Sequence, residues 1–166
     1  MIKAIVHADK EWGIGKDNDM MFSLPRDMKF FRETTTGHTV VMGGKTLRSF
    51  PNQKPLKNRV NIVISRGQVR DDCIIVPSYE RLFDELKARK NEEIFVIGGG
   101  EIYRALLPYC HEALVTKVEA IGGATVFFPN LDKDENFACV YESEPLEDNG
   151  YTVRFTTYKN KNVKEL

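Results

Sequence analysis

Four short segments of the chain combine residue types that can bind or transform a ligand. In the first, Gly98, Gly99 and Gly100 separate an apolar run from a helical pattern. Backbone without side chains can approach a pyrophosphate there, and the start of a helix favours an anion. Tyr103 holds the place of the third glycine in a dinucleotide-binding fingerprint, so a plain strand-to-helix turn is an equally good interpretation.

The second segment, Gly43-Gly44-Lys45-Thr46, resembles the end of a phosphate-binding P-loop. Thr39 occupies the place at which that loop needs its first glycine, and the predicted strand would lie inside the motif. These departures exclude a loop that wraps a phosphate. A helix that begins at Lys45 and Thr46 could still bind one phosphate through backbone N–H groups and the hydroxyl.

Ser65 and Arg66 directly follow another apolar run and form the third segment. A hydroxyl beside a guanidinium suits a phosphate monoester. Taken alone, the pair is more simply explained as a serine followed by a solvent-exposed arginine at the end of a strand. Because Lys45 stands near the end of a different predicted strand, we predict a phosphate site that both strand ends share.

The fourth segment is the first turn of a predicted helix, which contains Asp27. An acid there favours the helix dipole, and this is the simplest explanation of its presence. However, Asp27 shares a face with Phe31 and Thr34, one and two turns further on. A lone carboxylate on an apolar wall is costly unless a ligand donor pairs with it, so Asp27 is a candidate for ligand binding and catalysis.

Strands and helices alternate over the first two thirds of the chain. Apolar runs predict strands at 2–8, 39–42, 59–65, 73–76 and 93–97, and helical patterns predict helices at 25–36, 45–50, 79–89 and 101–107. Only strands follow, at 113–119, 138–144 and 151–158, with a turn at 147–150 before the last. The predicted fold class is α/β, with a mostly parallel central sheet, helices on both faces and an antiparallel C-terminal edge hairpin.

Open sheets of this class bind ligands at the carboxyl ends of their strands. The glycine-rich segments and the serine–arginine pair all follow predicted strands, so we expect them to meet at one edge of the sheet. The polar stretch 9–23 follows the first strand, and a loop of that length in a compact domain is usually functional.

Composition restricts the class of protein. The 166 residues contain 24 Lys plus Arg and 24 Asp plus Glu, which argues against a general nucleic-acid or membrane-surface binder but leaves room for a local basic patch. The three cysteines form no CxxC pair and the three histidines no ligand motif, which predicts reduced, buried thiols and no metal site. With no apparent signal peptide or membrane span, we expect a single cytoplasmic domain over 1–166.

Six ordered segments of the chain resemble the dihydrofolate reductase family. WGIGKDNDM followed by LPRDMKFF is similar to its N-terminal signature, and the later matches are VVMGGKT, RVNIVISR, IFVIGGGEIYRALLP, and TKVEA with FFP. Together they span nearly the whole chain. The resemblance implies an NADPH-dependent enzyme that reduces 7,8-dihydrofolate to 5,6,7,8-tetrahydrofolate by hydride transfer to the pterin ring, in support of one-carbon metabolism. It also implies a monomer that antifolates would target.

The resemblance also implies roles for individual residues. Asp27 is then the catalytic acid that binds the pterin amino group and ring N–H, Thr116 supports it, and Arg59 binds the glutamate tail. The implied substrate-binding residues are Ile5, Val6, Met28, Phe31, Arg32, Phe50, Leu56, Arg59, Ile97, Tyr103 and Thr116. The implied cofactor-binding residues are His7, Ile14, Gly15, Asn18, Met20, Gly43, Gly44, Lys45, Thr46, Ser65, Arg66, Ile97, Gly98, Gly99, Gly100, Glu101, Ile102 and Thr125.

Two further features are implied in the same way: a cis peptide between Gly98 and Gly99, and a loop over 14–20 that closes on the nicotinamide. The chain departs from the family's pattern in four places. Met21-Phe22 stands where Pro-Trp is common, Gly44 where an arginine often binds the cofactor phosphate, His7 where a small residue is usual, and Thr125 where an acid often steadies the mobile loop.

Three other functions are compatible with parts of the sequence. A nucleotide kinase could be built on the GGKT segment, although the first glycine of its loop is missing. A non-catalytic pterin or nucleotide binder would need the same residues, and a reductase could act on another pterin or a flavin precursor. Asp27 and Arg59 together favour folate.

Overall fold

The computed structural model describes residues 1–17, 19–67 and 69–166. Asn18, one of the predicted cofactor-binding residues, lies outside them. The helices are α1 (Pro25–Thr35), α2 (Gly44–Ser49), α3 (Tyr79–Ala88) and α4 (Gly100–Leu106), with short 3-10 turns at Pro51–Gln53 and Leu107–Tyr109. The strands are β1 (Ile2–Ala8), β2 (Gly13–Gly15), β3 (Thr39–Gly43), β4 (Val60–Ile64), β5 (Ile74–Val76), β6 (Ile94–Gly98), β7 (Glu112–Val118), β8 (Val126–Phe127), β9 (Phe137–Glu142), β10 (Leu146–Asp148) and β11 (Tyr151–Asn160).

The central sheet is mostly parallel. In the part of the chain that the structure describes, nine strands pair in the order β10-β11-β7-β1-β6-β3-β4-β5, with β9 also paired to β11. The pairs from β7 to β5 are parallel, whereas β11 runs antiparallel to β7, β9 and β10. The carboxyl ends of β1, β6, β3 and β4 therefore meet at one edge of the sheet, which confirms the predicted fold class.

Alternate residues of the central strands face two separate hydrophobic clusters. Ala4 and Val41 belong to one cluster, and Ile5, Val40 and Met42 belong to the other. The first cluster includes residues of α3 and α4, namely Leu82, Leu86, Ile102 and Leu106, and the second includes residues of α1 and α2, namely Phe30, Phe31 and Leu47. Since strand side chains alternate between faces, helices cover both faces of the sheet.

Three local predictions differ from the structure. The stretch 9–23 is not only a loop, because β2 within it pairs with β8 as a small antiparallel ribbon. The C-terminal hairpin is formed by β10 and β11 across the predicted turn, and β10 was not predicted as a strand. Pro108 does not end the helical path, since a 3-10 turn runs through it after α4. Each of these segments is two or three residues long, too short for periodicity to reveal.

The start of α1 depends on a distant residue. Leu24 is the N-cap and provides no side-chain hydrogen bond. Instead, Asp148 at the end of β10 accepts the backbone N–H groups of Arg26 and Asp27, each at 3.0 Å. Asp148 is 2% exposed, so the two N–H groups that α1 cannot satisfy internally are paired away from water. The C-terminal hairpin thereby fixes the turn that carries the candidate acid.

Of the helices in the described ranges, none combines the length and the apolar character that crossing a bilayer requires.

Candidate active site

Asp27 provides the carboxylate at the centre of the site. Thr116 Oγ1 donates a hydrogen bond of 2.7 Å to Asp27 Oδ1, and Thr116 is itself buried on β7. The Asp27 side chain is 13% exposed, so it is largely removed from water but open on one side. A carboxylate in this position has lone pairs left that only a ligand with N–H or O–H groups, or water, can satisfy.

His7 lies against the same carboxylate. The parallel register of β1 and β7 places His7 beside Thr116. His7 Nδ1 is 3.4 Å from Asp27 Oδ2, and the imidazole centroid is 6.2 Å from that of Phe22. Within the described residues, the buried His7 Nε2 has no hydrogen-bond partner. The site therefore combines an acid with an imidazole, a pairing that the sequence did not predict.

An apolar wall adjoins this pair. Ile5, Phe31, Phe50, Leu56 and Ile97 all belong to the hydrophobic cluster beneath α1 and α2, so the structure brings together five residues predicted to bind substrate. Ile5 precedes His7 by two positions on β1, and side chains two apart on a strand point to the same face. A flat heterocycle that donates to Asp27 would have apolar contacts at hand on this face.

Other predicted substrate-binding residues lie elsewhere. Val6 packs against the opposite hydrophobic cluster, and Tyr103 is buried, with its hydroxyl donating to the Ile5 carbonyl at 2.7 Å. That bond joins α4 to β1, so Tyr103 acts on the site through the backbone. Met28 is half exposed and Arg32 is exposed on α1, which leaves both available to a ligand that extends out of the cleft.

Arg59 is fixed in position close to a second arginine. Arg59 Nη1 donates to Thr35 Oγ1 at 3.0 Å, and Arg59 Nε donates to the Lys57 carbonyl at 2.9 Å. Burial, and after it the charge of Arg32, lowers the pKa of the Arg59 guanidinium. Two cations held near each other at a partly buried position form a favourable place for a carboxylate.

The glycine-rich turns that follow β3 and β6 contact each other. These strands are parallel neighbours, and a Cβ built on Gly98 would lie 3.5 Å from Thr46 Oγ1. The peptide bond between Gly98 and Gly99 is cis, as the resemblance implies. On the other side, a Cβ at Gly43 would lie 3.2 Å from Ile102 Cγ1. The two turns thus pack against each other, with Gly43, Gly44 and Gly99 partly exposed and Gly98 and Gly100 buried.

The ribbon of β2 and β8 lies over the start of α4. Thr125 donates its backbone N–H to the Gly15 carbonyl at 2.9 Å, and a Cβ at Gly100 would lie only 2.6 Å from Val126 Cγ1. The predicted cofactor-binding residues Gly15, Gly100 and Thr125 are therefore close in space. Met20, at 55% exposure, is free to contact a ligand.

Buried Asp9 connects this ribbon to the sheet. Asp9 Oδ1 accepts the backbone N–H groups of Glu11 and Gly13, each at 2.8 Å, and Oδ2 accepts that of Gly122 at 2.9 Å. The polar stretch after β1 is thus anchored at its base by the Asp9 carboxylate.

Glu101, one of the predicted cofactor-binding residues, is exposed on α4, and its carboxylate accepts a hydrogen bond from the Tyr79 hydroxyl at 3.4 Å.

A model of the dihydrofolate reductase family matches residues 1–160 of this chain. The chain belongs to the dihydrofolate reductase family. The dihydrofolate reductase of Bacillus subtilis (strain 168) is 35% identical over 98% of this chain and 96% of that protein, and that of Staphylococcus haemolyticus is 34% identical over 95% of both. A bifunctional dihydrofolate reductase-thymidylate synthase of Daucus carota is 35% identical over 94% of this chain and 33% of that longer protein.

Membership confirms the predicted enzyme class: a dihydrofolate reductase, an oxidoreductase that forms tetrahydrofolate for one-carbon metabolism and works with a nicotinamide cofactor. The residues at the joined strand ends fit such a polyanionic cofactor. Within the described ranges, Lys45, Arg48 and Arg66 have no carboxylate within ion-pair distance. Three cations without internal partners beside bare backbone provide the charge that a dinucleotide's phosphates need.

Two residues that matter for this dihydrofolate reductase were missed by sequence reasoning. Asp148 stands within the predicted turn 147–150, and no local pattern links it to α1. Arg48 stands within the predicted short helix 45–50, and the sequence alone assigns it no role. Its spacing of four from Gly44 was the one available signal, because residues four apart are neighbours on a helix surface.

Proposed function

We propose that this dihydrofolate reductase reduces 7,8-dihydrofolate to 5,6,7,8-tetrahydrofolate with NADPH, and that Asp27 is the residue that binds the pterin ring for the reaction. The observation that carries the proposal is the environment of Asp27: a largely buried carboxylate, bonded to Thr116 at 2.7 Å, on the same helix as the apolar wall residue Phe31. A pterin presents an amino group and a ring N–H side by side, which matches the two oxygens of one carboxylate.

The bound cofactor supplies a hydride from nicotinamide C4 to pterin C6. The chain's own residues orient the acceptor ring. Thr116 occupies one lone pair of Asp27 Oδ1, which limits rotation of the carboxylate and directs its remaining lone pairs to the ligand. With its oxygens engaged by ring donors, Asp27 is not placed to hand a proton to N5 directly, so we infer that water delivers that proton.

The same reasoning assigns the glutamate tail to Arg59. Its guanidinium is already oriented by Thr35 and Lys57, so little side-chain freedom is lost when a carboxylate binds. The neighbouring charge of Arg32 adds to the attraction for an anion. This arrangement supports folate over a pterin without a tail, and over a flavin precursor.

The choice of NADPH over NADH rests on the unpaired cations. Lys45 follows β3, and Ser65 with Arg66 follows β4, and these strands are adjacent and parallel. A ribose phosphate adds two negative charges near neutral pH, which several cations with no internal partner would stabilise. The backbone of Gly98 to Gly100 is the proposed contact for the pyrophosphate, and the segment 14–20, with Met20, the proposed cover of the nicotinamide.

The deciding experiment measures NADPH oxidation on addition of dihydrofolate, with the Asp27→Asn variant and an Asp71→Asn control on the surface. We expect the wild type and the control to turn over alike, and Asp27→Asn to lose at least about a hundredfold in kcat while still binding NADPH. Near-normal turnover of Asp27→Asn would remove that residue from the mechanism. Stoichiometric NADPH binding by the wild type without oxidation would indicate a non-catalytic binder instead.

We further propose that the enzyme acts as a single-domain cytoplasmic monomer with no nucleic-acid partner. Its three cysteines are all free, in keeping with a reducing compartment, although the prediction that all three are buried is wrong: Cys110 is buried, Cys73 is partly exposed and Cys139 is exposed. The balance of charges offers no general attraction for a polyanion as large as DNA. Sedimentation of the purified protein at micromolar concentration would test the monomer.

A further inference from the structure

Arg48 folds back across the first residue of its own helix. A Cβ built on Gly44 would lie 3.1 Å from Arg48 Nη1 and 3.0 Å from Ser65 Oγ. Both contacts are tighter than an ordinary carbon contact, so a side chain at position 44 would compete with the guanidinium for this space. Because position 44 has no side chain, Arg48 and Ser65 can both approach it closely.

The sheet brings the partner hydroxyl to the same place. β3 and β4 are parallel, and Gly43 is in register with Ile64, so Gly44 and Ser65 are the residues that directly follow these adjacent strands. The Arg48 guanidinium and the Ser65 hydroxyl thus both lie close to Gly44 at the carboxyl edge of the sheet, although Arg48 is 17 positions before Ser65 in the chain.

The charge at this point is not balanced by the protein. Arg48 is exposed, and within the described ranges no Asp or Glu lies within 4.0 Å of its guanidinium. A guanidinium with a neighbouring hydroxyl can donate several hydrogen bonds to the oxygens of one phosphate, two of them from the planar fork. A single surface arginine would gain little by lying over a backbone, whereas an arginine beside a hydroxyl forms a phosphate site.

We propose that Arg48, together with Ser65, recognises the ribose 2′-phosphate and is the residue by which this enzyme distinguishes NADPH from NADH. This inference rests on the proposed function, since it assigns a specificity-determining residue within the same cofactor site. Lys45 and Arg66 then add general attraction for the phosphates, and Arg48 provides the directed contact.

The test uses two probes that undergo no hydride transfer: adenosine 2′,5′-bisphosphate and adenosine 5′-monophosphate, which differ only in the 2′-phosphate. Their dissociation constants are measured by calorimetry on the full-length enzyme, alongside those of NADPH and NADH. We expect Arg48→Ala to weaken the bisphosphate and NADPH by roughly tenfold to a hundredfold, as for the loss of a hydrogen-bonded charge. The affinities for the monophosphate and NADH should change by less than about twofold.

Three more variants separate charge, geometry and folding. Arg48→Lys keeps the charge but not the fork, so its affinity for the bisphosphate should fall between the wild type and Arg48→Ala. Gly44→Ala leaves Arg48 in the chain but adds a methyl group 3.1 Å from its Nη1, which should shift the guanidinium and weaken the bisphosphate selectively. Arg154→Ala, on β11 away from β4, makes the same change in net charge and should leave both probes unaffected.

The outcomes distinguish this inference from the function on which it rests. A wild type that binds the two probes equally would overturn the choice of NADPH, and the role of Arg48 with it. A wild type that prefers the bisphosphate, together with an Arg48→Ala variant that keeps the whole preference, would overturn the role of Arg48 alone. Arg66→Ala and Lys45→Ala would then show which cation binds the phosphate.

Discussion

His7 Nδ1 lies 3.4 Å from Asp27 Oδ2, so the proposed catalytic acid has an imidazole on one oxygen and the Thr116 hydroxyl on the other. The His7 side chain is 9% exposed, and its Nε2 is buried without a partner among the described residues. The imidazole therefore packs against the carboxylate while one of its nitrogens is left unsatisfied. The two effects act in opposite directions on activity and stability.

Replacing His7 with leucine should separate these effects. We expect His7→Leu to raise the free energy of unfolding by about 1 kcal/mol, because an unpaired buried nitrogen is removed. The same change should lower kcat/KM for dihydrofolate by roughly fivefold to tenfold, because Asp27 loses the polar imidazole that packs against its Oδ2. Urea unfolding and steady-state kinetics measure the two quantities. An unchanged kcat/KM would show that Thr116 alone positions the acid.

Arg59 should determine the affinity for the folate tail. Arg59→Lys is expected to raise KM for dihydrofolate by roughly tenfold, because an ammonium group cannot reproduce the fork that faces a carboxylate. The rate with a dihydropterin that lacks the glutamate tail should be unchanged. Arg32→Ala is the matched comparison and should have the smaller effect, since Arg32 is exposed. If Arg59→Lys lowered kcat/KM equally with both substrates, Arg59 would act through the stability of the fold and not by binding the glutamate tail.

Asp148 should contribute to stability through the start of α1. Asp148→Ala removes the acceptor of two backbone N–H groups, and we expect the free energy of unfolding to fall by about 2 kcal/mol. Asp148→Asn retains one oxygen and should lose less. Chemical denaturation is the measurement, with the exposed Asp71→Ala as control. If the free energy of unfolding of Asp148→Ala equalled that of the Asp71→Ala control, water would be accepting the hydrogen bonds of these two N–H groups in place of Asp148.

Stability should fall at alkaline pH because of Cys110. Burial raises the pKa of its thiol from 9.0 to about 12, so between these values the unfolded chain loses a proton that the folded protein keeps. The thiol's contribution is fully present below pH 9 and is lost as pH rises towards 12, at a rate of roughly 1 kcal/mol per pH unit. Cys110→Ala should be less stable at neutral pH but show a flatter alkaline decline. If the stability of Cys110→Ala declined as steeply with pH as that of the wild type, the decline would come from other groups, such as the buried Tyr103, whose pKa is also raised by burial.

The order of elements and the positions of the glycine-rich turns could be predicted because they depend on short-range patterns. The run before Gly98 and the helix after Gly100 were predicted to within one residue at most ends, since apolar periodicity and glycine report local backbone conformation. The ribbon of β2 and β8 was missed because its pairing joins residues more than a hundred positions apart. A strand of two or three residues carries no period of its own.

The sequence by itself determined the family, the α/β order and the acid at the start of α1, because residue types and spacing are properties of the chain. Only the tertiary structure decided what surrounds that acid. Along the chain, Asp27 is 89 positions from Thr116, 20 from His7 and 121 from Asp148. The order of the strands in the sheet brings all three residues to Asp27. The same holds for Arg48 and Ser65, which both come close to Gly44 because β3 and β4 are adjacent. Hydrogen bonds act over about 3 Å in space, whatever the separation along the chain.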